Sequence, residues 1–300
     1  MTNPTSSAPP PDSPEDSASG GVRYENPRPG VARVVLARPE RRNAQDLALL
    51  YALNEAFDRA AQDDEIRVIV LAADGPHFSS GHDLKETSKP SDFDLVGTWG
   101  GMSLPGAEGY MAREQEVYLG FCWRWRNIPK PMIAEVHGKT IAGGLMLIWV
   151  CDLIVASEDA TFSDPVVAFG VNGVEYFAHP WEVGPRKAKE MLFTGEPIDA
   201  EEAHLRGMVN RVVPRAGLAE ETLGLAEHIA QRPSMGLKLA KMSVNQTQDA
   251  QGLWNSLQAA MSLQQLGHSH NQQVHGMSVD PEGARIVRDQ AAKKTAGEPS

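Results

Sequence analysis

The segment that most constrains the fold is residues 131–156. Pro131-Met132-Ile133-Ala134-Glu135-Val136 reads as a short buried strand, and Leu145-Met146-Leu147-Ile148-Trp149-Val150 as the first turns of a buried helix. Between them stand His137-Gly138-Lys139-Thr140-Ile141-Ala142-Gly143-Gly144. A strand that breaks on glycines and re-enters as a helix leaves N–H groups unpaired at the helix N-terminus. With the helix dipole behind them, these groups favour a phosphate, a carboxylate or an oxyanion formed during reaction. A tight turn that needs glycine only for packing accounts for the same residues.

The remaining chain supplies layers around this turn. Residues 33–37 and 66–72 predict strands, the second buried on both faces as in a sheet covered by helices. Leu47, Leu50, Leu53, Ala56, Phe57 and Ala60 have the three/four spacing of an amphipathic helix over 43–62. Residues 87–109, rich in Gly, Ser, Pro and Asp, predict a long irregular cover, followed by a helix over 110–127. Strands are expected at 152–156 and 160–163. Past Gly170 come helices alone, at 187–194, 200–206, 218–231, 234–262 and 281–294. Alternation followed by helices predicts an α/β core, residues 22–215, with a helical C-terminal section, 216–300. Residues 1–21 have almost nothing to bury and are expected to form a disordered tail.

Composition narrows the function classes. A net charge of −11 argues against a general nucleic-acid or acidic-membrane surface. The apolar run from Ile141 to Ala156 is interrupted by Gly143, Gly144 and Asp152, too broken for a membrane span. The N-terminus has neither the basic nor the apolar region of a signal peptide. Cys122 and Cys151 both sit in apolar surroundings, which fits reduced thiols and a cytoplasmic location. The nine histidines show no ligand spacing with Cys, Asp or Glu, so no metal site is expected.

Five landmarks then stand in order. They are Arg38-Pro39-Glu40-Arg41-Arg42-Asn43-Ala44; Asp74-Gly75 through Phe78-Ser79-Ser80-Gly81-His82-Asp83-Leu84; Lys130-Pro131 through Gly143-Gly144; Cys151-Asp152-Leu153-Ile154-Val155-Ala156; and Phe193-Thr194-Gly195 through Ala203, Gly207 and Val212. Over residues 22–292 this ordered set resembles the crotonase (enoyl-CoA hydratase/isomerase) superfamily. The resemblance implies an α/β spiral of ββα repeats with a helical C-terminal section, assembled as a homotrimer or homohexamer. It implies no permanently bound cofactor, with coenzyme A arriving as part of an acyl-CoA substrate. Coenzyme A would lie along Arg42, Ala44 and the loop Ser80, Gly81, His82, Asp83 and Leu84, with Arg41, Arg42 and Lys85 as partners for its phosphates. An oxyanion hole of two backbone N–H groups would fall at Ser80 and Gly143.

Two positions break the pattern. The family's hydratases use a pair of glutamates; the matching positions here are Met146 and Val166, and neither can exchange a proton. Glu175, among Val174, Tyr176 and Phe177, is the candidate replacement acid/base, since an apolar setting would raise its pKa. Asp164, His82 and His179 are further candidates, while Asp83 reads as a loop cap. The aromatic group Trp99, Tyr110, Tyr118, Trp123 and Trp125 is either the outer wall of the acyl pocket or plain core. The expected function is therefore enoyl-CoA hydratase-like, through a stabilised thioester enolate or oxyanion. Another reaction of the superfamily using Glu175 (isomerisation, thioester hydrolysis, decarboxylation or C–C cleavage) is the first alternative. A non-catalytic acyl-CoA-binding subunit is the second.

Overall fold

The computed structural model describes residues 20–296; the expected tail lies outside them up to residue 19. The main sheet holds β1 (Val22–Arg28), β2 (Val31–Leu36), β3 (Val68–Ala73), β4 (Met132–Val136), β6 (Leu153–Ser157) and β9 (Arg211–Val213), in the order β1-β2-β3-β4-β6-β9. β1 runs antiparallel to β2, and every other neighbour is parallel. A smaller sheet of order β5-β7-β8 is built from β5 (Lys139–Ile141), β7 (Thr161–Ser163) and β8 (Ile198–Asp199). The chain coils so that a strand enters the large sheet, the next enters the small sheet, and a helix returns it. β4, β5 and α4 (Gly143–Trp149) form one such turn.

All six residues of β3 are buried, as its unbroken apolar run requires for a sheet covered on both faces. Strand alternation divides them. Ile69 and Leu71 enter the main core with Val34, Leu36, Ala134 and α1 (Leu47–Gln62). Val68 and Val70 face the other way, with Val31, Ile133 and Val155, onto Leu218 and Ala226 of α8 (Leu218–Ala230). Residues 218–230, which the sequence reading groups with the C-terminal section, thus form a layer of the main sheet.

The helix expected over 110–127 is three pieces: α2 (Gly106–Glu114), a π turn (Gln115–Gly120) and α3 (Phe121–Arg126). The wide turn closes because residue 120 is glycine; a Cβ there would stand 2.2 Å from the Gln115 carbonyl oxygen. Its effect is to bury six consecutive residues, Glu114 to Leu119, more than a single helix face provides. Four shorter or peripheral helices follow the site: α5 (His179–Glu182), α6 (Pro185–Thr194), α7 (Ala200–Leu205) and, at the end of the described chain, α11 (Gly283–Ala296). The helix expected over 234–262 is broken by Gly252, at φ +102°, into α9 (Ser234–Ala250) and α10 (Leu253–His275). α10 then runs past the expected end and back against α2.

Candidate active site

The glycine turn does build a helix N-terminus. Ala142, at φ 48° and ψ −118°, precedes α4 in a conformation costly for a residue with a Cβ. Its N–H is held by the Ser163 carbonyl of β7 at 2.9 Å. The loop after β3 is drawn against this terminus by an isolated bridge between Ser79 and Thr140. Gly81 (φ +86°) permits the contact, because a Cβ there would lie 2.8 Å from the Ile141 oxygen and 3.1 Å from the Gly143 nitrogen.

Hydrogen-bond accounting distinguishes the donors in this loop. The Ser80 N–H, expected to face the ligand, donates to the Arg42 carbonyl at 3.0 Å, and the Gly81 N–H to Ser79 Oγ at 3.2 Å. Gln45 bridges His82 in parallel register, donating to the Gly81 carbonyl and accepting from Asp83 N–H, both at 2.8 Å. That register turns the His82 N–H away from Gln45. Among the described residues no acceptor takes the N–H of His82 or of Gly143. The His82 ring lies over Gly143, where a Cβ would stand 2.7 Å from its Cδ2.

Glu175 comes to the same place. It is 3% exposed, and its Oε2 lies 3.5 Å from His82 Nε2; neither atom has a hydrogen-bond partner among the described residues. Tyr118, delivered by the π turn, stacks on the His82 ring with centroids 4.0 Å apart. Burial, then the charge of Glu114, raises the Glu175 carboxyl well above the ordinary carboxylate range. Burial pushes His82 down to about 4. Burial thus favours the neutral form of both the carboxyl and the imidazole. Met146, fully buried, accepts the Tyr176 N–H on its sulfur at 3.4 Å. The thioether thus supports the segment that presents Glu175. Val166 opens a short 3-10 turn, its N–H on Asp164 Oδ1 at 3.2 Å.

The other candidates separate from this centre. Asp164 and His179 are wholly buried and paired at 2.8 Å, and Asp164 also accepts the N–H groups of Val166 and Val174. Asp83 forms an ion pair with Arg41 at 2.5 Å and accepts the Lys85 N–H, as a loop cap does. Arg42, Leu84 and Lys85 are exposed at the rim, whereas Ala44 is buried. Arg42 and Lys85 form no ion pair among the described residues. Of the aromatic group only Tyr118 reaches His82. Trp125 packs on Phe57 in the core, Trp123 pairs with Trp254, Tyr110 lies against His268, and Trp99 is exposed. A separate cavity of about 180 Å³, lined by Tyr176, Arg126, Trp149 and Glu182, does not include Glu175.

No helix among the described residues is long and apolar enough to cross a membrane, and no group of three or more His, Cys, Asp or Glu among them is arranged to hold a metal ion.

The chain is similar to known proteins over most of its length. The family model described as enoyl-CoA hydratase/isomerase matches residues 27–100 and 106–281. EchA13 of Mycobacterium tuberculosis is 46% identical over 263 residues, covering 85% of this chain and 83% of that protein. The crystal structure of a probable enoyl-CoA hydratase from Mycobacterium smegmatis superposes with a TM-score of 0.79 at 47% identity, covering 86% of this chain and 99% of that one. An enoyl-CoA hydratase/isomerase from Xanthobacter autotrophicus Py2 gives a TM-score of 0.75 at 31% identity, covering 93% and 99%.

Proposed function

Because this chain belongs to the enoyl-CoA hydratase/isomerase family of the crotonase superfamily, we propose that it moves a proton at the carbon beside the carbonyl of an acyl-CoA thioester. The observation that carries this reading is the buried Glu175 carboxyl, 3.5 Å from His82, beside the unpaired N–H groups of His82 and Gly143. Those two N–H groups take the negative charge that develops on the thioester oxygen. His82 replaces Ser80 as the first donor, since the Ser80 N–H already serves Arg42. Each such donor contributes roughly 2.7–4 kcal/mol of transition-state stabilisation.

The protonated Glu175 is the proton donor, and the neutral His82 ring can take up a proton from the same position. Water addition by two glutamates does not operate here, because Met146 and Val166 occupy those positions. A single carboxyl suits transfer of one proton on or off an enolate, as in shifting a double bond into or out of conjugation. Exposed Arg42 and Lys85 at the rim are suited to the phosphates of coenzyme A. Apolar side chains left exposed on α9 and α10, such as Leu239, Met242, Leu263 and Leu266, support assembly into the trimers or hexamers of the family.

The test is deuterium exchange at the α-carbon of acyl-CoA and enoyl-CoA substrates, followed by mass spectrometry, alongside hydration assays on the same panel. The wild-type protein is expected to exchange the α-proton, and Glu175→Gln to lose roughly 10²–10⁴-fold in rate. Exchange that persists undiminished in Glu175→Gln removes Glu175 from the mechanism. Binding of coenzyme A esters without exchange or turnover of any of them replaces the enzymatic reading with a binding subunit.

A further inference from the structure

No hydrogen bond fixes the His82 ring. Its Nε2 faces Glu175 Oε2 at 3.5 Å, and neither ring nitrogen has a hydrogen-bond partner among the described residues. A histidine that carries a proton is ordinarily held in one orientation by an acceptor at its second nitrogen. Here packing holds it instead. One edge lies on Gly143, where a Cβ would stand 2.8 Å from Nε2. One face is covered by Tyr118, with ring centroids 4.0 Å apart and planes 21° apart. The Tyr118 hydroxyl forms no hydrogen bond among the described residues, so what Tyr118 offers His82 is the flat face of its ring. Tyr118 owes its place to the π turn. Side chains two apart on a helix do not share a face, and the turn uses this to hold two things at once. Glu116, 3% exposed, accepts the Val96 N–H at 2.6 Å and the Gly97 N–H at 2.9 Å from the irregular segment before α2. Tyr51 of α1 donates its hydroxyl to Glu116 at 3.4 Å and stacks on Phe93 of that segment. The turn is thus anchored independently of His82.

We propose that Tyr118 is a positioning residue: its ring holds the His82 imidazole against Gly143 with Nε2 turned to Glu175, the orientation in which His82 exchanges a proton with substrate. This rests on the reading of Glu175 and His82 given above. Tyr118 acts through His82 and not on the substrate, and its stacked ring stands in for the orienting hydrogen bond that His82 lacks. A ring free to turn would carry Nε2 away from Glu175 and from the thioester, and a misplacement of about 1 Å can cost about 10²-fold in rate. The same cover keeps water from the imidazole. Burial is the first cause that lowers the His82 pKa, to about 4, and the positive charge of Arg113 is the second. Of the other charged groups acting on it, Asp164 raises the value and His268 lowers it. Loss of the Tyr118 face admits water and lets His82 return toward the ordinary value of about 6.5.

The test compares Tyr118→Phe, which keeps the ring face, with Tyr118→Leu, which keeps much of the volume without it. Protein carrying ¹⁵N-labelled histidine is titrated by NMR, with the His82 resonances assigned by their loss in His82→Gln. In the wild type and in Tyr118→Phe, His82 is expected to stay neutral at about pH 6, where an unperturbed histidine is mostly charged. In Tyr118→Leu its titration is expected to move up by about 1 unit or more. Exchange of the α-proton is expected to be retained in Tyr118→Phe and to fall roughly 10²-fold in kcat in Tyr118→Leu, with KM changed far less. A folded Tyr118→Leu in which His82 titrates as in the wild type, or a Tyr118→Phe that loses as much as Tyr118→Leu, overturns the proposal. Should Tyr118→Leu not fold, the wild type decides. The His82 ring protons are expected to be shifted upfield by the Tyr118 ring current and to show an Overhauser effect to that ring; unshifted resonances overturn it. If no thioester exchanges at all, the functional reading fails, while the titration and the ring-current shift still decide whether Tyr118 places His82.

Discussion

Two carboxyl–histidine pairs draw their acids from one segment, residues 164–179, and they are built to opposite rules. Asp164 and His179 are fully enclosed, 2.8 Å apart, and the carboxylate also receives two backbone N–H groups. Glu175 and His82 are 3.5 Å apart, with the facing oxygen and nitrogen both unpartnered. A carboxylate whose lone pairs are filled by its own fold fixes a loop and has nothing left for a substrate. A buried carboxyl with a free oxygen is destabilising unless something else uses that oxygen, and such groups concentrate at reactive sites. The first pair fastens residues 164–179 in place so that the second can be presented.

The comparison breaks most visibly under mutation of the two acids. Asp164→Ala leaves the His179 ring and two buried N–H groups without an acceptor, and is expected to lower the unfolding free energy by about 3–5 kcal/mol. Glu175→Gln, by contrast, is expected to leave stability at neutral pH unchanged or higher while removing activity. Urea unfolding of both variants distinguishes these; comparable losses in the two would erase the distinction. A smaller effect is expected at the contact that brings His82 to α4. Gly81→Ala forces a Cβ to 2.8 Å from the Ile141 oxygen at φ +86°, a strain of about 1–3 kcal/mol. Because it also displaces the His82 N–H, its activity should fall by roughly 10²-fold, out of proportion to its stability. An activity loss that merely tracks unfolding would show that the loop position carries no chemistry.

Much of this was legible in the sequence, for identifiable reasons. Unbroken apolar runs marked β3 and β4, and three/four spacing marked α1. β1 was not visible, because a charged edge strand carrying Pro27 lacks the apolar alternation of an inner one. The break in the C-terminal helices turns on one left-handed residue, Gly252, inside an otherwise helical composition. At the site, Glu175 and His82 could be singled out because each lies inside or beside a landmark. The role of Ser80 could not be settled there, since the direction of its N–H depends on a bond to Arg42, 38 positions earlier. The burial of Glu114 left only a faint local signal. The Glu114–Gln265 bond spans 151 residues, and the π turn that buries Glu114 appears only as two glutamates in a run ending at Gly120. Those two glutamates, flanking Gln115 in an otherwise apolar stretch, are the one feature that could have prompted the search.

The subtlest difference between the two acids lies in how stability depends on pH. The folded state raises the Glu175 pKa above its unfolded value of about 4.3. Its contribution is therefore complete below that value, where the carboxyl is protonated in both states. As pH rises, the unfolded chain ionises first and the contribution is lost progressively until the folded pKa is passed. Glutamine has no such transition. Relative to the wild type, Glu175→Gln should thus gain stability over the window that opens near pH 4 and closes at the folded pKa, by up to about 1.4 kcal/mol for each unit by which the folded pKa is raised. Urea midpoints of the two proteins measured across that window check the sign. A gap that stays constant, or that widens toward acid, would mean Glu175 is ionised in the folded protein, and the contrast with Asp164 would lose its physical basis.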